Sequence, residues 1–271
     1  MIEAILAALF GLLIGSFLNV CIYRWPRDLS VVRPRSHCPA CQKTIAWYDN
    51  IPLASYALLR GRCRHCGARI SPRYPVVELL TAGLFFVFVY TLGPRPEALK
   101  MCVFSALLVG LIFSDLEQRI LPDELTLGGA LLGLVFAAFV PVPDMTAQAL
   151  LWLVGMDMTP GAPQSLAEAA FGAILPALFL WGGGWLYYKV RHREGLGFGD
   201  VKLIAMVGAF LGLRGALLTL ILGSLSGSVI GYGYIKVTQR DAATYELPLG
   251  TFLGLAALVV ALMGPKLPGW Q

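Results

Sequence analysis

Apolar runs about as long as a bilayer is thick alternate along this chain with short polar, basic or Pro-containing segments. The pattern predicts helices over 2–23, 76–92, 98–115, 125–140, 166–188, 200–211, 215–235 and 248–263, eight in all. The first run is too long for the apolar part of a signal peptide and follows no basic residue, so it reads as a retained helix. Residues 24–75 break the pattern, with ten Lys or Arg against two Asp, and residues 141–165 contain no basic residue at all.

Composition turns that pattern into a class. Of 271 residues, 57% are hydrophobic and 14% charged, which excludes a soluble globule and fits an all-α integral membrane protein. The net charge of +5 does not signal nucleic acid, because the basic residues fall between apolar runs rather than along one face. They report topology instead. Sixteen Lys or Arg fall in the segments that alternate with Arg95, Lys100, Arg214 and Lys266, and the positive-inside rule then places both termini outside. The expected organisation is a first helix over 1–23, a cytoplasmic module over 24–75 and a membrane domain over 76–271.

The cytoplasmic module carries the most specific chemical signal. Cys38-Pro-Ala-Cys41 and Cys63-Arg-His-Cys66 are two CxxC pairs separated by 21 residues. Such pairs form tight knuckles whose four thiolates converge on a tetrahedral ion and leave no open position, so structural zinc is expected. Two disulfides are the alternative, but a cytoplasmic loop sits in a reducing compartment. His37 and His65 adjoin the cysteines as bystanders, and the stretch from Ile45 to Pro52 either packs the module or forms a binding surface.

Acids in or beside membrane spans are costly and therefore suggest function. Gly195-Leu-Gly-Phe-Gly-Asp200 places a carboxylate where an apolar helix begins, and Asp200 there can serve as its cap. Asp115 ends the third run, where a negative charge opposes the helix dipole. In the topology above, both lie at the same depth near the cytoplasmic face. Two carboxylates brought close share one proton, which is the arrangement for activating water against a peptide carbonyl. Asp123 and Glu124 have a simpler reading as cap or first-turn acids, as has Glu78 at the start of the second run. Gly15, Ser16 and Asn19 suit close helix packing, and Cys21 and Cys102 read as core residues.

Five stretches carry a family resemblance: Gly15-Ser-Phe-Leu-Asn-Val-Cys-Ile-Tyr-Arg24; the tetracysteine module with Trp47-Tyr-Asp-Asn-Ile-Pro52; Ile70-Ser-Pro-Arg-Tyr-Pro-Val-Val-Glu-Leu79; Asp115 through Thr126; and Gly197-Phe-Gly-Asp-Val-Lys202. The chain resembles the bacterial prepilin leader peptidases, within the wider class of GxGD membrane aspartyl proteases. The resemblance implies that Asp115 and Asp200 are catalytic and that the enzyme removes a short basic leader after a Gly, from type 4 prepilins or type II secretion pseudopilins. It implies N-methylation of the new terminus with S-adenosylmethionine as donor, an inner-membrane location, and contact with lipid and the pilus or secretion machinery. Glu117, Asp123 and Glu124 are candidates for the leader. Tyr48, Asp49, Asn50 and Glu78 are candidates for the donor, for which no Gly-rich dinucleotide-type turn is present. A transporter or ion relay, a GxGD protease without methyltransferase activity, and a zinc-anchored scaffold are the rival readings.

Overall fold

The computed structural model describes residues 1–142, 144–153, 155, 160–193, 196–239 and 247–264, and these form helices and turns with two isolated β-bridges. Gly195 of the glycine-rich stretch and the topological markers Arg240 and Lys266 lie outside the described residues. The helices are α1 (Ile2–Arg24), α2 (Ala54–Leu58), α3 (Arg73–Leu92), α4 (Pro96–Gln118), α5 (Asp123–Ala137), α6 (Thr146–Leu153), α7 (Ala162–Arg191), α8 (Phe198–Thr238) and α9 (Leu249–Met263). Five of them, α1, α3, α4, α7 and α8, are long and apolar enough to cross a membrane.

The chain divides into two units, Met1–Gly110 and Leu111–Gln271, with the division falling inside α4. In the first unit α1 packs along α3. Close approach is possible because α1 presents glycine: a β-carbon built on Gly15 would lie 2.7 Å from the Glu78 α-carbon. Asn19, one turn along the same helix, donates its Nδ2 to the Gly15 carbonyl at 3.2 Å and to the Tyr74 carbonyl at 3.0 Å. Buried Asn19 thus finds partners on its own helix and at the start of α3.

In the second unit α8 is the central element, packed against α5, α7 and α9. Its first arm is the most enclosed stretch, with Leu203, Ile204, Met206, Val207, Ala209 and Phe210 all fully buried. The expected pair of helices over 200–211 and 215–235 is one element with a break at Gly212 (φ 76, ψ −176), a conformation that favours glycine. An arm this short is about 21 Å long at 1.5 Å per residue, less than a hydrocarbon core of about 30 Å. Helices surrounding it satisfy the membrane's demand that no broken backbone face lipid.

The break itself is braced. Asp144 accepts the Arg214 N–H at 2.8 Å and the Thr146 N–H at 3.1 Å, while Glu168 of α7 accepts the Ala147 and Gln148 N–H groups at 2.8 and 3.0 Å. Residues 141–165, whose lack of basic residues reads as an outside loop with a short apolar stretch over 149–154, contribute α6 and the buried Asp144, while Glu168 follows on α7; Val154 lies outside the described residues.

Several helix ends differ from expectation. Helix α3 begins at Arg73 rather than at 76, because Pro75 is tolerated within a first turn whose N–H groups have no partner in any case. Glu78 is consequently beyond the first turn and is not a helix-terminal acid. Helix α7 begins at Ala162, four residues earlier than expected, with Pro163 in its first turn.

Candidate functional site

Asp115 lies in the last turn of α4 and Asp200 in the first turn of α8, both buried. Helix α8 starts at Phe198 with Gly197 as its N-cap, so Asp200 does not cap it as the sequence suggested. Glycine takes that position, and the aspartate side chain is left available. A β-carbon built on Gly197 would lie 3.3 Å from Asp200 Oδ2, so any larger residue there would press on the carboxylate.

Asp115 is oriented from a third helix. Thr251 near the start of α9 donates both its backbone N–H and its hydroxyl to Asp115 Oδ2, at 2.6 and 2.7 Å. Gly250 makes the approach possible, since a β-carbon there would lie 3.1 Å from Asp115 Cγ and 3.0 Å from Leu121 Cδ1. The same Leu121 side chain packs 3.1 Å from a β-carbon built on Gly199, next to Asp200. Leu121 thus touches the neighbour of each carboxylate, and the two acids are close enough for their charges to interact. Thr251 was not legible as a site residue. The only signal in the sequence is a small residue and a hydroxyl, Gly250-Thr251, shortly after Pro248 at the head of an apolar run.

The segment that carries Leu121 makes a second attachment. Asp123 opens α5 in its first turn, as expected, and accepts a hydrogen bond from Lys202 Nζ at 2.6 Å. Glu124 shares that first turn, and Glu117 sits near the end of α4. On the other flank of Asp200, a cavity of about 330 Å³ is lined by Trp181, Trp185 and Tyr188 of α7 with Gly197, Phe198 and Val201.

In the first unit the four cysteines converge. The sulfurs of Cys38, Cys41, Cys63 and Cys66 lie within 4.8 Å of one another, all four are free thiols, and Cys38 Sγ is 3.8 Å from Cys66 Sγ. A tetrahedral ion with bonds of about 2.3 Å requires an edge of about 3.8 Å, so the donor set fits zinc in both chemistry and spacing. The two knuckles are built alike. Cys38 donates its N–H to the Lys43 carbonyl as Cys63 does to that of Ala68, and the residue after each second cysteine, Gln42 or Gly67, has positive φ. Neither His37 nor His65 belongs to the cluster.

The thiols ionise unequally. Backbone N–H groups of Cys66 and His65 pull Cys63 down to about 7. Cys66 goes up to about 11: the Ala68 N–H opposes the shift, but desolvation and the neighbouring Cys41, Cys63 and Cys38 outweigh it. Four sulfurs in one place resist becoming four anions, and a divalent cation removes that conflict.

The four donor-site candidates are adjacent but differently engaged. Asp49 is gripped through both oxygens by Arg64, which lies between Cys63 and Cys66, and this hydrogen-bonded guanidinium holds its carboxyl below the usual range. The Tyr48 carbonyl accepts the Ser55 hydroxyl at 2.9 Å. Glu78 accepts the Leu53 N–H at 2.8 Å and bonds Ser16. Asn50 ends the 3-10 turn Trp47–Asn50 and lines a cavity in this unit.

Comparison with known proteins agrees with this division. Residues 9–92 match the bacterial peptidase A24 N-terminal domain, and residues 102–232 match the type IV leader peptidase family. A prepilin leader peptidase/N-methyltransferase of Myxococcus xanthus is 42% identical over 99% of this chain and 75% of its own length. Proteins of the same name from Aeromonas salmonicida and Pseudomonas aeruginosa are 35% and 33% identical, over 98% and 96% of this chain and 92% and 90% of theirs. No solved structure matches it. With both halves matched and this chain aligned along nearly its whole length with each relative, the chain belongs to the type IV leader peptidase family.

Proposed function

We propose that this protein is a bifunctional enzyme of the bacterial inner membrane that removes the leader from prepilins or pseudopilins and N-methylates the new terminus. The observation that carries the peptidase half is the pair of buried carboxylates at the end of α4 and the start of α8, with Leu121 packed against both Gly250, which approaches Asp115, and Gly199, which precedes Asp200. Asp115 and Asp200 are its catalytic pair. They hold one proton between them. The ionised member takes a proton from water as the oxygen attacks the scissile carbonyl, and the protonated member donates to the carbonyl oxygen. The tetrahedral species then collapses, its C–N bond breaks, and the leaving amine gains a proton from the pair. Thr251 keeps Asp115 in its rotamer throughout. A transporter would set its acids near the bilayer midplane and a scaffold would not pair them.

The methyl donor is S-adenosylmethionine. When bound it supplies a methyl carbon: the freed amine nitrogen forms the N–C bond as the C–S bond breaks, S-adenosylhomocysteine leaves, and the amine releases a proton to water. The four cysteines hold zinc as a structural ion, because their donor set is closed. The chain crosses the membrane eight times with its N-terminus outside, counting the two arms of α8 separately, so that residues 24–75 face the cytoplasm. There the substrate leader and the pilus or secretion machinery are met, and lipid covers the apolar helix faces.

Incubating the purified protein with a prepilin and S-adenosylmethionine, and reading products by mass spectrometry, tests this. The expected product has lost its leader and gained one methyl group of about 14 Da at the new N-terminus. An uncut substrate would refute the peptidase, and a cut but unmodified one would refute the second activity.

A further inference from the structure

The cavity of about 330 Å³ beside Asp200 is lined by one stripe of α7 and by the first turn of α8. Trp181, Gly184, Trp185 and Tyr188 recur at the spacing that gathers residues on one helix face, and they share the cavity with Phe198 and Val201. We infer that this cavity receives a large apolar side chain of the substrate, that of the first residue after the scissile bond, and that Gly184 and Trp185 set the preference for it; this rests on the peptidase reading above.

Its place follows from the first turn of α8. At 3.6 residues per turn, Phe198 and Val201 fall on one face, Gly199 and Lys202 on a second, and Asp200 on the third. The second face is taken, because Gly199 meets Leu121 and Lys202 meets Asp123. The first face opens on the cavity. Gly197 lines it too, and a β-carbon built there would lie 3.3 Å from Asp200 Oδ2. A side chain seated in the cavity therefore belongs to a residue beside the bond being cut.

The lining decides what kind of side chain that is. Among the described residues none that lines the cavity is charged, and four are aromatic, which suits an apolar or aromatic occupant. Charge decides the side of the bond. Lys189 Nζ lies 5.0 Å from the Trp185 ring centroid and Lys202 Nζ 5.0 Å from that of Phe198, with Arg191 in the last turn of α7. Cations resting on the cavity's own rings repel a basic leader. Glu117, Asp123 and Glu124 lie instead at the end of α4 and the start of α5, so the leader extends to that side. The mature end then runs against α7 and α8, membrane-spanning helices beside which only an apolar segment is stable.

Gly184 leaves the cavity its depth. A β-carbon there would lie 3.5 Å from Leu196 Cβ, an ordinary contact, so a larger residue is accommodated by the backbone and takes its space from the cavity. A β-carbon on the adjacent Gly183 would meet only open space.

The test is steady-state cleavage, by the full chain in liposomes, of prepilin substrates that differ only in the first residue after the cut, Phe or Ala. Wild type is compared with Gly184→Leu, Trp185→Ala and the control Gly183→Leu, with melting temperature as the folding check. Wild type should favour Phe. Gly184→Leu, by filling the cavity, and Trp185→Ala, by removing a ring face, should each lower the Phe-to-Ala ratio of kcat/KM at least ten-fold, and the control should keep the wild-type ratio. Substrates varied two residues before the cut should show no such change. A wild-type ratio in both cavity variants would overturn the assignment. So would a change that follows the leader residue instead, or an equal loss on both substrates that varies with the acyl-chain length of the liposomes, which would make the cavity a lipid seat. A wild-type protein that cuts neither substrate would overturn the peptidase reading, and the assignment with it.

Discussion

Thr251 shows how much a single side chain contributes to this site. Its hydroxyl and its N–H converge on one oxygen of Asp115, so the carboxylate is fixed from outside its own helix. A hydrogen bond to a carboxylate is worth about 1.5–3 kcal/mol. Thr251→Val retains shape and the backbone donor but loses the hydroxyl, and kcat for leader cleavage should fall about ten-fold or more with KM little changed. Thr251→Ser should recover most of the rate. Steady-state cleavage assays on the three proteins check this. The acids themselves were legible in the sequence, because a charge at the edge of an apolar run is too costly to persist without a use. Thr251 was not, because a backbone amide recruited from 136 residues away leaves no linear pattern. The same holds for Asp144, which accepts the Thr146 and Arg214 N–H groups, and for Glu168, which accepts those of Ala147 and Gln148.

At the scale of elements, the segment between α4 and α5 fastens the start of α8 twice. Leu121 packs against Gly199, and Asp123 pairs with Lys202 two residues beyond Asp200. An exposed ion pair is usually worth less than about 1 kcal/mol, so its removal should alter geometry at the acids more than global stability. Lys202→Glu alone should lower cleavage several-fold, and combining it with Asp123→Lys should restore much of the loss, with melting temperatures nearly constant. Equal rates in single and double variants would show that the pair does not couple α5 to α8. Most helices were readable from apolar runs to within a few residues, since burial in protein or lipid favours the same side chains. The break at Gly212 could be placed only approximately, as a gap between two runs, because the conformation there depends on Asp144 reaching the Arg214 N–H.

At the scale of the molecule, two units carry two kinds of chemistry, the cysteine cluster in Met1–Gly110 and the paired aspartates in Leu111–Gln271. The spacing of the CxxC pairs gave the cluster away because ligand geometry constrains local sequence strongly. Among the donor candidates, Asn50 lines a cavity, whereas Asp49 and Glu78 are engaged by Arg64 and by the Leu53 N–H, contacts that no linear pattern announces. Metal binding by thiolates competes with protons. In the metal-free module Cys63 is drawn down to about 7, so its thiolate is available near neutral pH, and protons compete with the metal for the sulfurs as pH falls. Acidification from pH 8 to pH 5 should therefore release metal, and a zinc-sensitive dye should record the loss.

The central claim is that Asp115 and Asp200 form one proton-sharing pair, and single substitutions test it most directly. Prepilin cleavage by Asp115→Asn and Asp200→Asn should be measured in liposomes beside wild type, with methylation of an already cut pilin as the control for folding. Each variant should lose at least about a thousand-fold in cleavage rate, some 4 kcal/mol of transition-state stabilisation, while the control reaction continues. Cleavage near the wild-type rate by either variant would contradict the paired mechanism and remove that residue from the active site.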